Sequence, residues 1–216
     1  MQRNTPYRDM WYNETVDEDR EAAIRLKNKR NGMTVFQASW ILVFVCLIVV
    51  NLQLRGGAPA WPPEGVERLD PVLPTLATLG LLASAVLVRR GMRTLLRDSL
   101  GGFLLQWRAA LGLGALFVAV MAYEWLSVAP IPEMRVVLAN GEEIITAITQ
   151  YNAIFRVMTA FHAFHALVIG IYMVRVLRTA ARGGLTEDTW SAEAGAKLWY
   201  FVVIAWLMFY VVLYWL

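Results

Sequence analysis

Five apolar runs dominate the chain, each close to the roughly 20 residues that a helix needs to cross a hydrocarbon core of about 30 Å. They fall at about residues 35–54, 72–92, 103–126, 152–178 and 194–216. Backbone polar groups in lipid must find partners within the protein, so runs of this length read as α-helices rather than strands. The expected fold class is an all-α membrane protein, a five-transmembrane-helix bundle over residues 33–216 with an N-terminal arm over residues 1–32. Composition points the same way: 58% of the 216 residues are hydrophobic and 17% charged, where a soluble domain carries about a quarter charged. The first thirty-odd residues are polar, with no apolar core and no small-residue cleavage site. The expectation is that the first internal helix directs insertion. The single cysteine, Cys46, lies inside an apolar run, which excludes a disulfide within the chain.

Lysine and arginine set the expected orientation. The arm carries Arg3, Arg8, Arg20, Arg25, Lys27, Lys29 and Arg30, while the next connection holds only Arg55 and Arg68. Arg89, Arg90, Arg93 and Arg97 follow, then Arg135 alone, then Arg175, Arg178 and Arg182. This alternation of basic and poor segments puts the N-terminus in the cytoplasm and the C-terminus on the outer, periplasmic side of a multi-pass membrane protein. The net charge of +3 is gathered at helix ends. It forms no basic stripe, and no nucleic-acid partner is expected.

Between the helices, Asp17–Arg30 reads as a short amphipathic helix, acidic first and basic last, as the helix dipole favours. Pro59, Pro62 and Pro63 make residues 56–71 an extended or turning segment. Asn140-Gly141 is a tight-turn signal, so residues 135–145 read as a small hairpin with Val136 and Val137 on one strand and Ile144 and Ile145 on the other.

Polar groups inside apolar helices are the candidates for chemistry. His162 and His165 stand three residues apart on the fourth helix and share a face. They are the only histidines, and neighbours on one helix cannot bind an iron from opposite sides. A zinc or copper site would have to recruit Cys46 or Glu124. The simpler reading makes both histidines polar interface residues, hydrogen-bonded to neighbouring helices or lipid headgroups. Glu124 and Arg156 come out at similar depth on consecutive helices, and an ion pair between them is expected. Arg108, about one turn inside the third helix, reads as snorkelling toward the cytoplasm. Glu193 and Lys197 form a helix-start pair on the fifth helix. Arg89, Arg90, Arg93 and Arg182 make a basic rim that could take anionic lipid headgroups. Trp125, Trp190, Tyr214 and Trp215 fit interface anchors. There is no Gly-rich phosphate loop, no Cys-x-x-Cys, no Ser-His-Asp set and no acidic pair at mid-membrane.

Several segments, in order, resemble subunit III of the haem-copper terminal oxidases in its short five-helix form. They are Gly32-Met33 through Ala38-Ser39, Trp61-Pro62-Pro63-Glu64-Gly65 followed by Leu73-Pro74-Thr75-Leu76, and Ala122-Tyr123-Glu124-Trp125. The fullest is Tyr151 through Arg178 with Phe161-His162-Ala163-Phe164-His165, and the last runs from Glu193-Ala194-Gly195-Ala196 through Trp199 and Trp206 to Tyr214-Trp215. The resemblance implies an accessory subunit with no catalytic centre or cofactor of its own. Haem and copper would sit in partner subunits: the catalytic subunit I, subunit II and other oxidase subunits. Membrane phospholipids would be further partners. The complex would reduce oxygen to water in aerobic electron transport.

The departures bear on proton handling. Where the family usually has a membrane-embedded glutamate after Ser39, this chain has Trp40. Where the last helix usually reads Trp-His-Phe-Val-Asp, it reads Trp199-Tyr200-Phe201-Val202-Val203. The embedded glutamate is linked in the family to support of proton uptake, so the resemblance implies scaffolding more than proton transfer here. Two alternatives stay open from sequence: a companion subunit of a nitric oxide reductase, and a free-standing membrane transporter. The latter is disfavoured because the chain has no internal repeat and no broken midplane helix.

Overall fold

The structure is a computed structural model. It describes residues 6–62, 68–127, 135–137, 143–145, 147–185 and 189–216, with side chains for 18–62, 68–127, 150–185 and 189–216. The helices are α1 (Pro6–Gly57), α2 (Val72–Leu95), α3 (Leu100–Ser127), α4 (Ala147–Ala181) and α5 (Trp190–Tyr210), the last continuing as a π-helical turn over Val211–Trp215. All five are long and apolar enough to cross a membrane. The small hairpin is present: β1 (Arg135–Val137) pairs antiparallel with β2 (Glu143–Ile145), Val136 opposite Ile144. Its expected Asn140-Gly141 turn, and Pro63-Glu64-Gly65 of the first loop, lie outside the described residues.

By internal contacts the chain divides into residues 1–40 and 41–216. The first unit is helical throughout its described part. Asp17–Arg30 is helical as expected, but it is a stretch of α1 rather than a separate short helix. Nothing after Arg30 stops the helix: Gly32 alone costs about 1 kcal/mol in a helix interior, too little to end one that long. Arg25 pairs with Glu21 one turn back at 3.1 Å, and the ring of Phe36 lies 4.4 Å from that of Trp40.

In the second unit, α2 and α3 form an antiparallel hairpin. Buried positions on α2 run Ala77, Leu81, Ser84, Val88, Gly91, Leu95, and on α3 Phe103, Trp107, Ala110, Gly114, Phe117, Met121. Both alternate in steps of four and three, the spacing of a knobs-into-holes seam. The turn between them is tight. Ser99 N–H donates to Thr94 O at 2.9 Å, and Asp98 takes the left-handed conformation at φ 57° that a helix C-cap of this kind requires. The end of α4 repeats the device with Gly183 at φ 80° and Gly184 N–H donating to Thr179 O at 3.0 Å.

The centre of the unit belongs to α5. It buries 56% of its most apolar stretch, against 6% for α1. Within the second unit, α1 contributes the fully buried Phe44, whose ring meets those of Phe161, Phe201 and Phe209 at 5.0–5.2 Å. Most other apolar side chains of α1, such as Leu42, Val45 and Val49, stay exposed and suit a lipid face or a partner.

Candidate functional site

The membrane-embedded polar groups of the second unit are placed between helices. An apolar helix gains no hydrophobic drive by meeting another in lipid, so close packing and interhelical hydrogen bonds have to hold the bundle. The structure supplies a series of such bonds along α5. Trp199 Nε1 donates to Ser84 Oγ at 2.9 Å, and Trp206 Nε1 to Thr78 Oγ1 at 2.8 Å. Tyr210 and Thr75 join their hydroxyls one step further along. The positions rise on α5 as they fall on α2, as antiparallel neighbours must. Each hydroxyl hydrogen on α2 is already given to its own helix: Ser84 to Leu81 O, Thr78 to Pro74 O, Thr75 to Pro71 O. The oxygen lone pair is left to accept from the facing ring group, so donor and acceptor are both used.

The same device joins α3 to α4. Trp125 Nε1 donates to Thr159 Oγ1 at 2.7 Å, while Thr159 donates to Phe155 O at 2.6 Å. Nearer the start of α3, Trp107 Nε1 donates to Met173 O at 3.1 Å. Next along α4, Tyr172 OH donates to Ser191 O at 3.1 Å, just inside the start of α5.

His162 belongs to this set. It is 1% exposed, and Nε2–H donates across to Val202 O of α5 at 3.0 Å. Its ring is walled by Phe44, Phe117, Trp206 and Phe209 at 5.2–6.4 Å. His165 is also buried, but its Nδ1–H turns back to Phe161 O of its own helix at 2.7 Å. Nδ1 lies close to the backbone, within reach of the carbonyl one turn earlier. The expected interhelical hydrogen bond is thus made by His162, whereas that of His165 runs along α4. Both N–H groups are aimed at carbonyls. Among the described residues, no three His, Cys, Asp or Glu side chains come together as metal ligands. Cys46 is exposed.

Glu124 and Arg156, both half-buried, do not form the expected pair; the ion pairs among the described residues are Arg25–Glu21 and Lys197–Glu193. Depth along two helices says nothing about facing. Adjacent helical residues point about 100° apart, and at this level the residue next to Glu124, Trp125, makes the contact to α4. Tyr214 is a second departure: it is 2% exposed and packs inward against Tyr210 and Phe155 instead of anchoring at the interface. Trp215, 59% exposed, keeps an outward place.

The remaining candidates lie at the helix ends. Glu193 bonds Lys197 at 3.0 Å in the first turn of α5, with Nζ of Lys197 5.8 Å from the ring centroid of Trp190. Arg89, Arg90 and Arg93 are exposed on the last turns of α2, and Arg182 is exposed just after α4. The tryptophan bonds to Ser84 and Thr78 had no counterpart in the sequence reading, although the seven-residue spacing of Trp199 and Trp206 put both on one face of α5.

Residues 2–216 match the family described as Cytochrome c oxidase subunit III. Among curated relatives, the cytochrome c oxidase subunit 3 of Thermostichus vulcanus is 29% identical, with 85% of each chain covered. That of Synechocystis sp. is 24% identical over 85% of this chain and 73% of its own. That of the fish Formosania lacustris is 29% identical over 88% and 70%. With five membrane-crossing helices and a match along nearly its whole length, the chain belongs to the cytochrome c oxidase subunit III family.

Proposed function

We propose that this chain is the accessory subunit III of a bacterial haem-copper oxidase that reduces oxygen to water. It sits in the inner membrane with the N-terminal arm in the cytoplasm and the C-terminus in the periplasm. It carries no catalytic centre, haem or copper; those belong to its partners, subunit I, subunit II and the other oxidase subunits. Its work is to stabilise the catalytic subunit and to hold membrane lipid.

The observation that carries this reading is the use made of the embedded polar groups. His162, Trp107, Trp125, Trp199 and Trp206 all direct their N–H groups to acceptors on a neighbouring helix. That is the chemistry of a rigid scaffold. A proton path would instead need ionisable groups at mid-membrane, and the two positions where the family usually has carboxylates are occupied by Trp40 and the buried Val203. Membership of the family and the names of the relatives support the assignment to an oxygen-reducing complex. Deleting the chain tests the role. The remaining complex is expected to keep its haem spectrum while inactivating at lower temperature. Loss of the haem spectrum together with normal folding of subunit I would assign the chain a part in the centre itself.

A further inference from the structure

Among the described residues, α1 has two buried side chains, Phe44 at 0% and Asn51 at 2% exposure. They stand seven residues apart, two helical turns, and so share one face. Phe44 is at home there, packed among other rings. Asn51 is not accounted for by packing. An amide carbonyl taken out of water loses hydrogen bonds that only a new partner restores. Asn51 Oδ1 is buried, and no group among the described residues bonds it. A buried acceptor of this kind in a membrane helix calls for a ligand.

A cavity of about 10 Å³ opens beside Asn51. Trp61 of the connection to α2, Tyr151 and Phe155 of α4, and Val212 of the π-helical turn complete its walls. The volume is at the lower bound for a single water and too small for an organic ligand. An apolar cavity of this size would stay dry, but this one has polar walls. Trp61 brings an indole N–H donor, and Tyr151 a hydroxyl that both donates and accepts. Tyr151 is 6% exposed, and its ring meets that of Trp61 at 5.0 Å. The wide turn beside the cavity is a further irregularity. There Leu216 N–H reaches back five residues to Val211 O at 3.1 Å. Turns of this kind recur at functional sites within helices.

We propose that this cavity binds one structural water, which donates to Asn51 Oδ1 and bonds the Tyr151 hydroxyl, with the Trp61 indole as its third partner. About three bonds is the usual complement of a buried water. The water joins α1, the connection to α2 and α4 at a single point. It is the polar half of the attachment of α1 to the bundle, and Phe44 is the apolar half. The site uses residues of this chain alone, so it stands whichever complex the chain serves.

The tagged chain, purified with its native partners and imaged at a resolution that shows other buried waters in the same map, tests the site. One ordered peak is expected at about 2.5–3.0 Å from both Asn51 Oδ1 and the Tyr151 hydroxyl oxygen. Two variants add an energetic readout. Asn51→Leu keeps the branched shape and removes the amide. Tyr151→Phe keeps the ring against Trp61 and removes the hydroxyl. Each should lower the thermal midpoint by about 2–4 °C. The double variant should fall no further than the worse single one, since either change alone breaks the bridge. A cavity without the peak, a protein group bonded to Asn51 Oδ1, or additive losses in the double variant would overturn the proposal. Where a variant fails to assemble, the density of the unaltered complex decides alone.

Discussion

The indole of Trp199 on α5 fills the space over Gly114 on α3, so that a Cβ at Gly114 would overlap its six-membered ring. From that seat Nε1 reaches Ser84 Oγ on α2 at 2.9 Å, and one side chain ties three helices together. Trp107 of α3 makes the reciprocal contact: a Cβ on Gly195 of α5 would stand 3.3 Å from its Cζ2, and its Nε1 bonds Met173 O of α4. Two indoles in two glycine seats thus join α2, α3, α4 and α5. Substituting Gly114→Ala should displace Trp199, at a cost of about 1–3 kcal/mol for an overfilled core. The thermal midpoint of the purified complex should fall, and adding Trp199→Ala should recover part of the loss. Independent, additive effects of the two changes would count against the seat.

The bond from Trp206 to Thr78 Oγ1 should show energetic coupling. In a double-mutant cycle with Trp206→Phe and Thr78→Ala, interhelical hydrogen bonds in lipid average about 0.6 kcal/mol and reach about 1.7 kcal/mol. Thr78 has already donated its proton to Pro74 O, so Thr78→Val, which removes the acceptor but keeps the bulk, should reproduce the coupling. A coupling indistinguishable from zero would mean that the two helices are held by packing alone.

Those bonds were hard to read from sequence for a definite reason. The length and hydropathy of the five runs set the helix number, and the hairpin followed from Asn140-Gly141 between two β-branched pairs. Facing is a different matter. In a soluble helix the polar side marks the outside, but in lipid both sides are apolar and the mark vanishes. Tyr214 therefore read as an interface anchor although it is buried, and Glu124 read as the partner of Arg156 although Trp125 makes the contact. The histidines read as polar interface residues bonded to neighbouring helices or lipid headgroups, and both are buried. That His162 would bond across to α5 and His165 along α4 depends on a rotation no single sequence records.

His162 offers a sharp distinction between a structural and a ligand role. Substituting His162→Phe removes a hydrogen bond to Val202 O whose net worth is about 0.5–1.5 kcal/mol. The complex should melt at a lower temperature and keep its haem and copper content. A fall in either cofactor in step with the substitution would make His162 a ligand or a neighbour of one.

The orientation read from lysine and arginine is open to thiol labelling. In a Cys46→Ser background, a cysteine at Ala58, between α1 and α2, should react in intact cells with a reagent that cannot cross the membrane. One at Ser99, between α2 and α3, should react only after the membrane is opened. The reverse pattern would invert the topology.

The central claim, that this chain is a supporting part of a haem-copper oxidase, meets its most direct test in purification from the native membrane. A tag on the chain, mild solubilisation and analysis of what is retained should yield a haem-copper catalytic subunit in fixed ratio, with a haem spectrum and oxygen consumption in the same fraction. Recovery of the chain alone or as a homo-oligomer, with the oxidase activity left in the unbound fraction, would contradict it.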